Sequence, residues 1–437
     1  MSGEYSWISL LAMFAPVFTA PSLQLFSNIA SAWVLCPGRR TVTRIYQIAD
    51  PHGNRAHDAY HRFFRDGAWN MNRMWKILVI MLVRRFYPTG AIPLDLDDTA
   101  FHKSGHKVEG ASWWRDAVRS TGQKTVHCFG LNLVVLTLRI HPPWGGEPLG
   151  LPVNMRVHRK KEQSLLELAQ LMMQEMADWL PDRRFDLCAD GFYAPLANGL
   201  LSAFNLTSRM RRDAALYAPP PKKRKRGKGR PRKKGRRLPN PQNMAKTIKT
   251  WHRQKLNIRG KTTTRLMAHR DVLWYNCCKD KVLRLVICRD PEGVEPDDFF
   301  FTTDLNASPA RVIEQYAGRW SIEDTFKGVK QSLAGHTPQS WKHKGPERTA
   351  AFSLWLYSVV WFWFINTRKY NKAWNRLPWY PNKTTPSFAD ALASLRSALW
   401  RKRILSTSDN PPLHAQKMLK LLSGYLHMLH ESLIISP

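Results

Sequence analysis

The acidic side chains of this sequence fall in three places where carboxylates can do chemistry. LDLDDT carries Asp97 and Asp98, LCADGF carries Asp190, and SIEDTF carries Glu323. The first two segments are short apolar runs that read as β-strands ending on an acid. A strand in an α/β fold delivers its terminal side chains to the sheet edge, where ligands bind. Glu323 lies on a helical pattern, so two strand-end acids and one helix acid can converge. Three carboxylates with little sulfur or imidazole beside them suit hard, oxygen-preferring cations such as Mg²⁺ or Mn²⁺. Two such ions about 4 Å apart can activate a nucleophile and stabilise the leaving oxygen of an in-line phosphoryl transfer.

Around Glu323, the stretch QYAGRWSIEDTFKGVKQ (315–331) has no proline and reads as one helix. At 100° per residue, Tyr316, Arg319, Glu323, Lys327 and Lys330 share one stripe. A core-facing stripe would be apolar there, and a solvated face could carry such charges. The two strand-end acids favour the chemical reading, with the cations holding phosphates.

The partner suggested by charge is a polyanion. Lys and Arg number 67 against 33 Asp and Glu, for a formal net charge of +34. The run KKRKRGKGRPRKKGRR (222–237) holds twelve of the basic residues and no acid, yet the rest of the chain keeps an excess of +22. Nucleic acid is the commonest partner of such a chain. Six cysteines without a CxxC pair argue against a zinc ribbon and fit a reducing compartment. The histidine pairs His57/His61 and His102/His106 lack a closing pair and read as incidental, although His102, Lys103 and His106 lie close enough past the first acids to touch a phosphate.

The elements that must position these residues can be read in outline. Residues 1–90 are helical by apolar period and form an expected N-terminal DNA-binding region. The β-rich TVHCFGLNLVVLTLRIH is expected to return antiparallel across PPWGG, and KEQSLLELAQLMMQEMADWL is an amphipathic helix. RRFDLCADGFYAP is the next strand, and LANGLLSAFNLTSRM reads as a helix behind it. The basic stretch 218–242 cannot be ordered by burial and is expected to be a mobile loop. Residues 247–305 alternate and read as further strands. Residues 346–437 are expected to be a helical C-terminal region. The sixteen-residue run AAFSLWLYSVVWFWFI is short of a membrane span and reads as a buried helix, so no membrane partner is expected. The N-terminus lacks the basic segment of a signal peptide. Together these elements give an α/β class with a mixed sheet.

The motifs resemble those of bacterial insertion-sequence DDE transposases. Tyr316-x2-Arg319-x3-Glu323-x6-Lys330 has the spacing of that group's YREK signature, while DLDDTAFHKSG and ADGFYA look like the segments carrying its two aspartates. Asp97 and Asp190 are 93 residues apart, and Asp190 and Glu323 are 133 apart, with β-rich sequence in the second interval. The DDT pattern and the early HRFF look most like the insertion sequence 701 family. The resemblance covers about residues 45–345. It implies an RNase H-like mixed sheet flanked by helices, with a β-rich insertion before the last catalytic helix, in a catalytic domain of 91–345. It implies Asp97, Asp190 and Glu323 as a triad for two Mg²⁺ or Mn²⁺ ions, with Asp98 an alternative first acid. Tyr316, Arg319, Lys327 and Lys330 would hold DNA. The implied activity is metal-dependent cleavage and strand transfer at transposon terminal inverted repeats and target DNA, by at least a dimer on DNA, in the bacterial cytoplasm at the nucleoid. An RNase H-like nuclease without strand transfer and a catalytically inactive DNA-binding relative are the alternatives.

Two further DNA contacts are expected. The Gly-Arg-Pro core Gly229–Pro231, with Arg230 at its centre and Arg232 after it, lies between basic residues and resembles an AT-hook or a plain polybasic tether. Trp251 or Trp274 in the β-rich interval would stack on a displaced base.

Overall fold

The structure, a computed structural model, describes residues 6–116, 119–220, 233–279, 281–368, 370 and 381–405. The N-terminal region is helical: α1 (Trp7–Ala12), α2 (Ala20–Leu35), α3 (Val42–Ala49), α4 (His57–Arg65) and α5 (Met71–Phe86). The segment between α4 and α5 contains Gly67, which breaks the helical pattern. Asn70 then caps α5 by accepting from the Arg73 amide. Strands β1 (Ile92–His102), β2 (Ser112–Arg115), β3 (His127–Ile140) and β4 (Leu149–His158) follow, then α6 (Leu165–Trp179) and β5 (Phe185–Ala189). A Ser164–Glu167 capping box starts α6. A 3-10 helix (Gly191–Ala197) leads into β6 (Phe204–Arg209).

The expected helix over LANGLLSAFNLTSRM is thus corrected: FNLTSR is a strand. Its identity comes from parallel pairing with β5, Phe185 to Phe204 through Ala189 to Ser208, a long-range constraint that overrides local pattern. After β6 come α7 (Pro241–Thr247), β7 (His252–Ile258), β8 (Lys261–Val272), β9 (Leu283–Arg289) and β10 (Asp298–Thr302). The chain continues as α8 (Pro309–Gly318), α9 (Ser321–Gln331), α10 (Gly345–Asn366) and α11 (Phe388–Leu405).

All ten strands form one mixed sheet, in the order β2-β3-β1-β5-β6-β10-β9-β8-β7, with β4 also on β3. Strands β1, β5 and β6 are parallel, and β3 and β4 are antiparallel to their neighbours. The order β4-β3-β1-β5-β6 with these directions is that of the RNase H-like mixed sheet that the resemblance implies. The β-rich insertion joins that core directly. β10 pairs antiparallel with β6, and β9, β8 and β7 extend the sheet outward.

Helix α10 is the centre of the helical layer. Its first 21 residues are nearly all buried, which matches its unbroken apolar run. It is long and apolar enough to cross a membrane, but 94% of that window is buried inside the protein. It packs on β4, α4, α5, α9 and α11, and α11 packs on α2. The helices of the two chain ends therefore share one core with the sheet. Burial on this scale, at about 25 cal/mol per Å² of apolar surface, is the main force holding the layers together.

Candidate active site

The site begins with the alternation of β1. Asp95, Asp97 and Thr99 share one face of the strand, and α9 lies across it. Asp95 is fully buried and pairs with Arg139 of β3. Arg139 Nε donates to Asp95 Oδ2 at 3.0 Å, and its Nη2 also contacts Asp95 Oδ1. Ser321 Oγ, at the start of α9, donates to the same carboxylate at 3.3 Å. Four residues further along β1, Lys330 Nζ of α9 donates to Thr99 Oγ1 at 2.7 Å. These two contacts fix α9 along the strand.

Between them lies Asp97. Arg319 Nη1 donates to Asp97 Oδ2 at 2.6 Å, and Arg319 Nη2 donates to Glu323 Oε1 at 3.2 Å. One guanidinium thus bridges a strand acid and a helix acid. Asp190 comes from the neighbouring strand. Leu96 of β1 is in register with Ala189, the last residue of β5, so Asp97 and Asp190 are the next residues along two parallel chain segments. Adjacent strands lie about 4.8 Å apart. Asp190 accepts from the Phe192 amide at 3.0 Å and caps the 3-10 helix.

The electrostatics follow from burial and crowding. Burial pushes Asp97 up to about 7; Arg319 opposes the rise, and Asp190 adds to it. Burial raises Glu323 as well, with Arg319 opposing. Asp98 points to the other face, where it accepts from Tyr193 Oη at 3.2 Å. Burial raises Asp98, and hydrogen bonds from Tyr193 and Asn132 lower it. The pair that the sequence leaves open is therefore split by strand alternation: Asp97 faces Arg319 and Glu323, and Asp98 faces Tyr193.

Several expected features differ. The stretch 315–331 is two helices, with Arg319 at the C-cap of α8 and Trp320 before α9. Gly318 permits the junction, because a Cβ there would meet Arg139 Nη1 at 2.7 Å. Tyr316 consequently belongs to α8, its ring 4.8 Å from Phe300 and near the guanidinium groups of Arg319 and Arg209. Arg319 is 7% exposed and turned onto the acids, not outward as a DNA grip. Lys330 is likewise turned inward to Thr99, while Lys327 is exposed.

The reading of Lys103 as a phosphate contact is corrected. Lys103 is buried and donates to the His336 and Pro338 carbonyls at 3.0 and 2.8 Å. Trp274 is also corrected: it is buried against Phe301, so it has no face for a base. Trp251 is half-buried under Arg289. Arg230 and Arg232 lie outside the described residues. The exposed tryptophan beside the site is Trp320, 42% exposed with Arg259 over its ring at 4.8 Å. Its place between Arg319 and Glu323 was the available signal. Arg139 and Asp95 had no sequence signal, since only the strand register brings them together.

Comparison with known proteins places this geometry in context. The family described as DDE superfamily endonuclease matches residues 14–280. No curated protein matches the chain. Among solved structures, the piggyBac transposase synaptic complex with hairpin DNA matches at 10% identity and a TM-score of 0.38, covering 93% of this chain and 76% of that one. A score that low adds nothing to the fold assignment.

Proposed function

Because the chain belongs to the DDE superfamily endonuclease family, we propose that it is a DNA transposase that cleaves at transposon ends and joins them to target DNA. The observation that carries this reading is the Asp97–Arg319–Glu323 bridge beside Asp190. Asp97 from the middle of β1 and Asp190 just past the end of β5 lie on adjacent strands, and Arg319 ties Glu323 of α9 to Asp97. Arg319 sits as a cation between two of the three carboxylates, where a divalent ion would also sit. An all-oxygen donor set of this kind fits Mg²⁺ or Mn²⁺. Asp97, Asp190 and Glu323 would hold two such ions, which supply an activated water or 3′-hydroxyl and charge stabilisation at the phosphate. Asp97 is preferred to Asp98 because it shares a face with Glu323.

The remaining residues position the substrate. Arg319 would balance charge among the acids and any ion they hold, and Tyr316 and Lys327 would line the approach of the DNA. Lys330 holds the registration of α9 on β1 through Thr99. The N-terminal helices and the basic run with Arg230 and Arg232 would bind DNA outside the site. Two ends must meet, so a dimer or larger assembly on DNA is expected. The spacing of Tyr316, Arg319, Glu323 and Lys330 supports a reading as a YREK-type transposase, most like the insertion sequence 701 family.

The test is Glu323→Gln. It should bind terminal-repeat DNA as the wild type does and lose Mg²⁺-dependent cleavage by at least about 10³-fold, the scale of removing an essential catalytic group. Cleavage at the wild-type rate would remove Glu323 from the site. The family description, an endonuclease, also supports hydrolysis without strand transfer. Pre-cut ends incubated with target DNA separate the two readings, since only a transposase joins them.

A further inference from the structure

A second cluster of metal-ligand side chains lies at the far end of β1. His102 closes β1, Asp116 directly follows β2, and Cys128 is the second residue of β3. Strand register gathers them. His102 opposes Gly130, Trp114 opposes Cys128, and the Asp116 amide continues the ladder by donating to the Val126 carbonyl at 2.8 Å. One ligand atom from each lies within 4.8 Å of the other two.

His102 Nε2 is 3.7 Å from Asp116 Oδ2. That separation suits two ligands of a tetrahedral ion with bonds of about 2.0–2.2 Å. Small rotations would bring Cys128 Sγ to its longer bond of about 2.3 Å. Asp116 and Cys128 are buried, while His102 borders solvent. One nitrogen, one oxygen and one sulfur suit zinc rather than the oxygen-preferring cations of the carboxylate site.

Two cations oppose the metal. Arg119 Nε lies 3.7 Å from Asp116 Oδ2, but its side chain is 68% exposed and can swing away. Lys330 is committed to Thr99. A thiolate and a carboxylate together would balance the charge of Zn²⁺.

We propose that His102, Asp116 and Cys128 form a Zn²⁺ site, distinct from the Asp97 site, with a fourth position open to solvent. On binding, Cys128 gives its thiol proton to solvent and the sulfur bonds the ion. The metal pins the ends of three antiparallel segments beside the crevice lined by Arg39, His102, Lys103 and His336.

The test uses the full chain, stripped with a chelator and reloaded with Zn²⁺ or Co²⁺ alone. The wild type should retain about one zinc per chain, as three protein ligands and a water allow. Co²⁺ should give tetrahedral d–d absorption and a thiolate-to-cobalt charge-transfer band. His102→Gln, a change at an exposed position, should weaken zinc binding at least ~10-fold, and Cys128→Ser should abolish the charge-transfer band. Glu323→Gln should leave that band unchanged. The site is overturned if the stripped wild type takes up no zinc at micromolar free metal. It is equally overturned if the band survives in Cys128→Ser, or if His102→Gln binds zinc as the wild type does.

Discussion

Arg139 and Asp95 form the most deeply buried ion pair at the site, with side chains 5% and 0% exposed. Removing one partner leaves the other as an uncompensated buried charge. Arg139→Met should therefore destabilise the protein by about 3–5 kcal/mol in urea unfolding. A loss below about 1 kcal/mol would mean that Asp95 is not held by this pair. His336 gives a pH signature at the same scale. Burial, with Lys103 and Lys330 adding, lowers it to about 4, and its Nδ1 is buried with no partner. An unfolded histidine titrates near ~6.5. Between these values the unfolded chain binds more protons, so this histidine's contribution to stability is lost as pH falls from about 6.5 to 4. Unfolding free energies measured across that range should fall less steeply in His336→Gln than in the wild type. Equal slopes would show that His336 is not buried as a neutral base. The sequence showed that acids and cations gather here, but not which way they point. Asp97 and Asp98 are adjacent, and only the pairing of β1 decides their faces. Lys103 follows β1 in the chain, yet its amine is spent on two carbonyls that lie more than 200 residues away.

Among the elements, the α8–α9 junction sets the geometry. It was hidden in the sequence because 315–331 keeps a helical period across the break, and its sole local sign is Gly318. The close approach of Arg139 to Gly318 couples the junction to the Asp95 pair. Gly318→Ala should cost about 1–3 kcal/mol by overpacking and shift Arg319 off its acids. Urea unfolding and the cleavage rate should both fall, and a neutral variant would show that the junction yields without cost. The strands carrying the acids were legible as apolar runs, but only Asp190 follows a strand end. β1 runs on past Asp97 and Asp98 to His102, so those two acids lie mid-strand, because pairing with β3 continues beyond them. β6 was not legible, because its state is set by β5 on one side and β10 on the other. The further strands at 247–305 were legible from alternation; their union with the core sheet was not, since edge pairing leaves no local trace.

Across the whole molecule, the charge of +34 governs encounter with DNA. Affinity for DNA should fall linearly with log salt, with a slope of about −0.9 per phosphate contacted. Deleting residues 222–237, which removes twelve Lys and Arg, should make that slope shallower in fluorescence-anisotropy titrations. An unchanged slope would remove the run from the DNA footprint. The buried helix α10 has a different consequence, one of time. Helices α4 and α5 emerge early from the ribosome, but the surface they pack on ends at Asn366, about 280 residues after Phe86. At roughly 5–20 residues per second, synthesis leaves their apolar faces uncovered for on the order of 15–60 s. Until then the nascent chain carries a sticky helical surface, so its yield in the cell depends on what shields that surface during translation.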